Sequence, residues 1–367
     1  MSSFSPNFVK SLVSKIFPSL RKTQTVNLSY AVFGLIKSQS ALMSEIVREV
    51  PGAKKHKHRL KRLWRFLSNP RVKPERLRVF WICWIIKTFS HEKIIKVAMD
   101  WTTLPGNIQC LMIAIPFKGR AIPLLWHITL HKEIKDSQNM IEERLVARLV
   151  TLVTETFPDK KLFLTADRGF GRAELFKFLL KKEVLFVIRV KSDVHITTKD
   201  GKKIQLRELG KTLKERIPVL YKSISYRQDR VVKGVHLVAV VALVEGKDAD
   251  PWFLITNISK PERTIKLYAE RFHIEEWFKD LKHQLGIAAL QTKELKRVRR
   301  MVLVAAVAYG LTMIIGKTAD RLKKVKDELI TGGKKSGSCI WFAVKLIRHK
   351  LVGKAFWRRV YLQALSP

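Results

Sequence analysis

Residues 268–282 combine charged and aromatic side chains at a spacing that could hold a metal ion and a phosphate together. Read as one helix of about 100° per residue, the segment places four side chains within an arc of about 60°: Tyr268, Arg271, Glu275 and Lys282. Glu275 could bind a metal ion, while Arg271 and Lys282 could donate hydrogen bonds to a phosphate. Surface helices carry the same residue types as exposed ion pairs, so the interpretation needs support from elsewhere in the chain.

Two aspartates upstream are each predicted at the end of a strand. Residues 93–99 form an apolar run that ends at Asp100, and residues 161–166 form a shorter one that ends at Asp167. Each aspartate alone could equally cap a helix or close a turn. If the two strands are neighbours, both carboxylates lie at one sheet edge, where the helix with Glu275 can pack. Three converging carboxylates repel one another, and a pair of Mg²⁺ ions would relieve that repulsion.

The charge of the chain indicates its partner. The sequence has 71 Lys and Arg against 31 Asp and Glu, a net charge of +40, while hydrophobic residues make up 47%. A folded protein with such an excess usually binds a polyanion, and nucleic acid is favoured. An anionic membrane is the competing partner, but the basic residues are spread along the chain instead of concentrated on one amphipathic helix.

Cysteine usage and hydropathy narrow the class further. Cys83, Cys110 and Cys339 are far apart and lack metal-ligand spacing, which predicts a reducing compartment without disulfides or a zinc site. The first residues lack the pattern of a secretory signal. Residues 79–86 and 301–316 are apolar but shorter than the roughly 20 residues that span a bilayer, so both are predicted to be buried core helices.

The first 90 residues are predicted to form a helical DNA-binding domain. Residues 8–17, 26–36 and 41–50 show helical periodicity, and the region holds 18 Lys and Arg but 3 Asp and Glu, a net charge of +15. Its densest basic stretch, residues 54–67, predicts a helix whose Arg59, Arg62 and Arg65 flank an apolar stripe and contact DNA phosphates. A basic surface helix without a specific ligand is the alternative.

The pattern after residue 90 predicts a mixed α/β sheet with covering helices. Its order is three strands, a helix, a strand, a helix and a strand, up to residue 190. Residues 191–250 are β-rich, with a hairpin turn at 199–202, and residues 251–256 form another strand. Residues 317–367 are basic and helical after a glycine-rich break at 332–337. They could form a solvated terminal pair of helices.

Three motifs resemble those of DDE transposases of bacterial insertion sequences, specifically the insertion-sequence-four group with its Tyr-Arg-Glu-Lys signature. They are Met99-Asp100-Trp-Thr-Thr, Thr165-Ala-Asp167-Arg168-Gly-Phe and Tyr268-x2-Arg271-x3-Glu275-x6-Lys282. The match covers roughly residues 56–316 and includes the segment 65–70. The resemblance implies a ribonuclease-H-like catalytic domain at 91–316 with a β-rich insertion at about 191–250. An all-helical DNA-binding domain at 1–90 would precede it, and a helical C-terminal region at 317–367, with a role in dimerisation, would follow it.

The same resemblance implies roles for individual residues. Asp100, Asp167 and Glu275 would be the catalytic, metal-binding triad for two Mg²⁺ ions, with Mn²⁺ able to substitute. DNA would be bound by a further set of residues: Tyr268, Arg271, Lys282, Arg168 and Trp252. Trp252 would stack on a base flipped out of the duplex, with core packing at a strand start as the alternative.

The implied activity is that of a DNA endonuclease and strand transferase. The enzyme would cleave at transposon terminal inverted repeats and join the ends to target DNA, with cut-and-paste transposition favoured, by two-metal-ion phosphoryl transfer. A homodimer in a synaptic complex, in the bacterial cytoplasm and associated with the nucleoid, is expected, with no membrane partner. Two alternatives remain: a ribonuclease-H-fold nuclease without strand transfer, and an inactive transposase-derived DNA-binding protein.

Overall fold

Five helices form the N-terminal part of the computed structural model, which describes residues 3–52, 55–135, 137–227, 229–242, 250–320, 339–349 and 352–365. They are α1 Pro6–Ile16, α2 Lys22–Ser38, α3 Met43–Arg48, α4 His56–Ser68 and α5 Pro74–Phe89. Proline opens α1 and α5, where its missing N–H removes no helical hydrogen bond. Apolar faces of all five helices contribute to the main core. The stretch 79–86 is accordingly a mostly buried part of α5.

The next elements follow the order that the hydrophobic pattern predicts. They are β1 Ile94–Leu104, β2 Ile108–Phe117, β3 Arg120–Leu130, α6 Gln138–Thr156, β4 Lys161–Ala166, α7 Ala173–Lys181 and β5 Leu185–Arg189. Strand β1 pairs antiparallel with β2 and parallel with β4, and β4 pairs parallel with β5. The mixed α/β architecture is therefore confirmed, and it is compatible with a ribonuclease-H-like core.

The β-rich segment extends this same sheet. Its elements are β6 His195–Thr197, β7 Lys203–Gln205, α8 Leu206–Thr212, β8 Val219–Tyr226 and β9 Val232–Ala242, followed by β10 Asp250–Thr256. Together they make one ten-stranded sheet in the order β3-β2-β1-β4-β5-β10-β9-β8-β6-β7. Residues 228 and 243–249 of the predicted β-rich segment lie outside the described residues.

The prediction that a strand ends at Asp100 is wrong. Strand β1 continues to Leu104 because β2 pairs with it along that whole stretch, with Asp100 opposite Met112. Only the pairing with β4 stops earlier, at Met99 opposite Ala166. Asp100 therefore lies inside a strand, on backbone that β2 holds in place.

The prediction of one regular helix over residues 268–282 is also wrong. The chain forms α9 Pro261–Ala269, a 3₁₀ turn over Glu270–Phe272, α10 His273–Lys279 and a π-helical turn over Asp280–Gln284. Because 3₁₀ and π turns have a different number of residues per turn from an α-helix, the angular positions from a regular helix do not hold for Lys282. The π turn coincides with Asp280, whose carboxylate pairs with Arg120 and accepts from the Tyr309 hydroxyl at 2.9 Å.

The remaining helices are α11 Leu295–Ala319, α12 Cys339–His349 and α13 Lys354–Leu365. By length and composition α11 could cross a membrane, yet 94% of its apolar window is buried inside the protein, as predicted for a core helix. The solvated reading of the C-terminal pair is wrong, because α12 and α13 bury apolar side chains against the main core. The glycine-rich break at 332–337 lies outside the described residues.

Candidate active site

The two aspartates come together where β1 and β4 run parallel. Each follows the last residue paired between these strands, so Asp100 and Asp167 lie next to each other. The backbone N–H of Trp101 donates to Asp100 Oδ1 at 2.8 Å, and that of Gly169 donates to Asp167 Oδ1 at 2.9 Å. Asp167 thus caps the 3₁₀ turn after β4, the structural role that its sequence context also allows. These backbone hydrogen bonds set the orientation of both carboxylates.

The pKa of Asp100 is raised from its ordinary value near 3.8 to about 7, chiefly by burial and next by the neighbouring negative charge of Asp167. Arg271 acts in the opposite direction, and the Trp101 hydrogen bond also lowers the pKa. Burial and the adjacent negative charge make the ionisation of Asp100 costly, and a bound cation would lower that cost.

Arg271 supplies one such cation, and it joins Glu275 to the pair. Its guanidinium lies 3.5 Å from Asp100 Oδ2 and 2.8 Å from Glu275 Oε1. The residue is 5% exposed and lies over the rings of Phe272, at 4.4 Å, and Tyr268, at 5.7 Å. Arg271 is therefore paired with two carboxylates of the predicted triad in this structure, although the sequence predicts that it donates to a phosphate.

The chemistry of the three carboxylates fits a divalent cation. Carboxylate oxygens are preferred ligands of Mg²⁺, and a bound cation would relieve the repulsion between Asp100 and Asp167. Within the residues that the structure describes, no group of three or more His, Cys, Asp or Glu side chains has metal-binding geometry as placed. At the predicted triad, the Arg271 guanidinium bridges Asp100 and Glu275.

A comparison with models of protein families identifies the family of this chain. Residues 94–311, more than half of the chain, match the family model of the transposase DDE domain. The chain belongs to the transposase DDE domain family. A comparison with curated proteins found no match. The matched range holds β1, β4 and α10, the elements that carry the three carboxylates, and begins after the N-terminal helices.

In this transposase, Tyr268 and Trp252 lie in a second apolar cluster. Their rings meet edge to face at 4.9 Å, and Phe272 packs on both. Trp252 is 5% exposed, and Tyr268 is buried as well. Core packing, the alternative for Trp252, is thus what the structure shows. Stacking on a flipped base stays a prediction that requires the ring to leave the cluster.

Arg168 is exposed and lines a strongly basic cavity of about 340 Å³ beside Asp167. The other cations around the cavity are Arg189, Lys191, Arg207 and Lys211. Sequence reasoning missed them, because they come from the end of β5 and from α8, a short helix inside a segment read as strands. Lys282 is half-buried in the π turn, and it has no hydrogen bond or ion pair with any described residue.

The predicted arginines of α4 are partly engaged within the N-terminal helices. Arg59 donates to the Val50 carbonyl, and Arg62 donates to Asn27 Oδ1 at 2.5 Å while its guanidinium lies 4.9 Å from the Tyr30 ring centre. Arg65 is exposed. These three arginines line one open cleft of about 640 Å³ together with Asn27, His58 and Lys61. The basic face of α4 is therefore accessible to an anionic ligand.

Replacing Arg271 by glutamine should destabilise the metal-free transposase by about 3 kcal/mol. The substitution leaves Asp100 and Glu275 without their shared counter-charge, and removing one partner of a buried pair typically costs that much. Urea unfolding in EDTA measures the change, and Mg²⁺ should restore part of the loss. Arg168→Gln, which removes an exposed arginine, is the control. A loss below about 1 kcal/mol would show that Arg271 does not neutralise the carboxylates.

Proposed function

We propose that this chain is an active transposase of the insertion-sequence-four group that cleaves DNA at transposon ends and joins them to target DNA. The observation that carries the proposal is the meeting of Asp100 and Asp167 on adjacent parallel strands, with Glu275 linked to them through Arg271. Three carboxylates from separate parts of the chain thus converge within the DDE domain. Cut-and-paste transposition is the proposed route.

The triad would hold two Mg²⁺ ions, with Mn²⁺ as a substitute. These ions would supply Lewis acidity that activates the attacking hydroxyl and stabilises the leaving oxygen during in-line phosphoryl transfer. The protein orients Asp100 and Asp167 through backbone hydrogen bonds, so these two carboxylates are already held in place for an ion. Arg271 has five N–H donors and uses few of them on carboxylates, so it can also donate to a phosphate oxygen.

DNA is the proposed substrate and target. The net charge of +40 favours a polyanion, and the basic cavity beside Asp167 places several cations within the reach of a strand bound at the triad. The cleft of α4 would contact phosphates of the terminal inverted repeat. Tyr268, Lys282 and Trp252 complete the proposed DNA contacts near the reacting bond. We propose that two protomers act as a homodimer in the bacterial cytoplasm, at the nucleoid.

Arg207→Gln should weaken binding to transposon-end DNA and lower the salt dependence of binding. Arg207 is exposed at the basic cavity, and loss of one phosphate contact reduces the slope of log affinity against log salt by about one. Fluorescence anisotropy in EDTA at several salt concentrations measures it. The matched control is Lys181→Gln at the far end of α7, with the same charge change. An unchanged slope in Arg207→Gln would remove the cavity from the DNA path.

A strand-transfer assay tests the proposed function. Purified full-length protein is incubated with Mg²⁺, a labelled duplex that carries the inverted repeat flanking the gene, and a supercoiled target plasmid. Cleavage at the repeat end followed by covalent joining is expected. Cleavage without joining would support the ribonuclease-H-fold nuclease instead, and specific binding without cleavage would support an inactive DNA-binding protein. Either of these results overturns the proposal.

A further inference from the structure

Glu142, on the opposite face of the sheet from the triad, is a charged side chain with 0% exposure. It lies in the first turns of α6. Its Oε1 accepts from the Trp101 indole N–H at 2.8 Å and from Gln138 Nε2 at 2.9 Å. Its Oε2 pairs with the guanidinium of Arg172. Both oxygens of this carboxylate are therefore engaged by donors from three different segments.

The partners of Glu142 adjoin both aspartates of the triad. Trp101 follows Asp100 in β1, and its backbone N–H is the donor that orients the Asp100 carboxylate. Successive side chains of a strand point to opposite faces, so the Trp101 ring reaches α6 while Asp100 faces Arg271. Arg172 ends the short loop that Asp167 begins and caps α7. One buried carboxylate thus links the strand of Asp100 to the loop of Asp167.

A contribution to stability alone does not account for the buried pair of Glu142 and Arg172. Desolvation of a buried ion pair usually offsets its attraction, so well-packed apolar residues are often as stable in its place. In some proteins a buried pair of this kind instead fixes a particular geometry. Here the geometry is the separation of Asp100 and Asp167, whose charges repel each other. Mg²⁺ requires near-ideal octahedral ligands at about 2.0–2.1 Å, whereas Ca²⁺ accepts looser geometry at about 2.3–2.6 Å.

We propose that Glu142 is a positioning residue that sets the spacing between Asp100 and Asp167 and thereby the affinity of the triad for Mg²⁺. It touches neither the reacting atoms nor the ion. It acts through Trp101 on one side and Arg172 on the other. The inference rests on the proposed function, because Glu142 would support two ligands of the proposed metal site, Asp100 and Asp167.

Metal binding to the full-length protein without DNA tests the inference. Calorimetric titrations with Mg²⁺ and with Ca²⁺ are made on the wild type and on Glu142→Gln, in which the amide keeps an acceptor for Trp101 but presents N–H groups to Arg172. Residues that support metal ligands typically contribute about 10–100-fold to affinity. Glu142→Gln should weaken Mg²⁺ binding at least about tenfold and Ca²⁺ binding clearly less. Glu143→Gln, beside it on α6 and only 3.8 Å from Arg172, should bind both ions as the wild type does.

Each outcome separates the inference from the proposed function. If the wild type binds neither ion, or if Asp100→Asn binds as well as the wild type, both the metal site and the role of Glu142 fail. If the wild-type site depends on Asp100 but Glu142→Gln keeps both affinities within about twofold, only the role of Glu142 fails. Equal losses for both ions together with a lowered melting temperature would mark Glu142 as merely structural and overturn the inference. Should Glu142→Gln not fold, Trp101→Phe removes one link while keeping a ring, and the same selective loss of Mg²⁺ affinity is expected.

Discussion

Asp100→Asn, Asp167→Asn and Glu275→Gln should each reduce Mg²⁺-dependent cleavage of transposon-end DNA by more than roughly a hundredfold. Mutating a residue that only supports a metal ligand lowers metal affinity or activity by up to about a hundredfold, so loss of a direct ligand should lower activity more. The amides keep the shape of the side chains but lose the charge that binds a cation. They should also leave the backbone bonds to Trp101 and Gly169 able to form, because the amide oxygen accepts in the same place.

Cleavage is measured in single turnover, and DNA binding is measured separately in EDTA. Binding should stay within about twofold of the wild type, since removal of a negative charge near DNA does not weaken its attraction to phosphates. Asp159→Asn is the matched control, because Asp159 is exposed at the opposite end of β4 from Asp167. If any of the three triad variants cleaved and joined DNA at the wild-type rate with Mg²⁺, the assignment of that carboxylate would be wrong.

Cleavage at limiting Mg²⁺ should fall as the pH drops below about 7. Burial and the charge of Asp167 raise the pKa of Asp100 to about 7, so protonation competes with metal binding in this range. While Asp100 alone titrates, the rate should fall about tenfold per pH unit. Saturating Mg²⁺ should move the acidic limb to lower pH, since a bound cation stabilises the ionised carboxylate. If the acidic limb did not move with Mg²⁺ concentration, competition between protonation of Asp100 and metal binding would not be its cause.

The raised pKa of Asp100 should make the metal-free protein less stable as the pH rises. A carboxyl whose pKa is raised on folding favours the folded state when protonated, and that contribution is lost as the pH rises from about 4 through about 7. The pKa shift corresponds to a free-energy difference on the order of 4 kcal/mol. Asp100→Asn cannot ionise, so urea unfolding in EDTA should find it more stable than the wild type at pH 8 and similar at pH 4. If Asp100→Asn and the wild type were equally stable at both pH values, folding would not raise the pKa of Asp100.

Local patterns in the sequence account for the elements that carry the site. Apolar runs of the right length predict the strands and helices between residues 93 and 190 in their observed order. Where tertiary pairing extends an element, the same patterns fail. The polar Asp100 reads as a strand end, yet β2 continues to pair with β1 beyond it. A solvated terminal pair is one of two interpretations of the C-terminal helices from sequence, but their apolar faces pack against α11 and the N-terminal helices.

The sequence by itself determined the residue types, the spacing of the signature and the strongly basic charge, because each of these is a property of neighbouring positions or of composition. Only the tertiary structure decided that β1 and β4 are adjacent, that Arg271 bridges Asp100 and Glu275, and that Glu142 links the segments of both aspartates. It also buried Trp252 against Tyr268. These partners are distant in the chain, and which side chains meet depends on strand register and helix packing, which local periodicity does not encode.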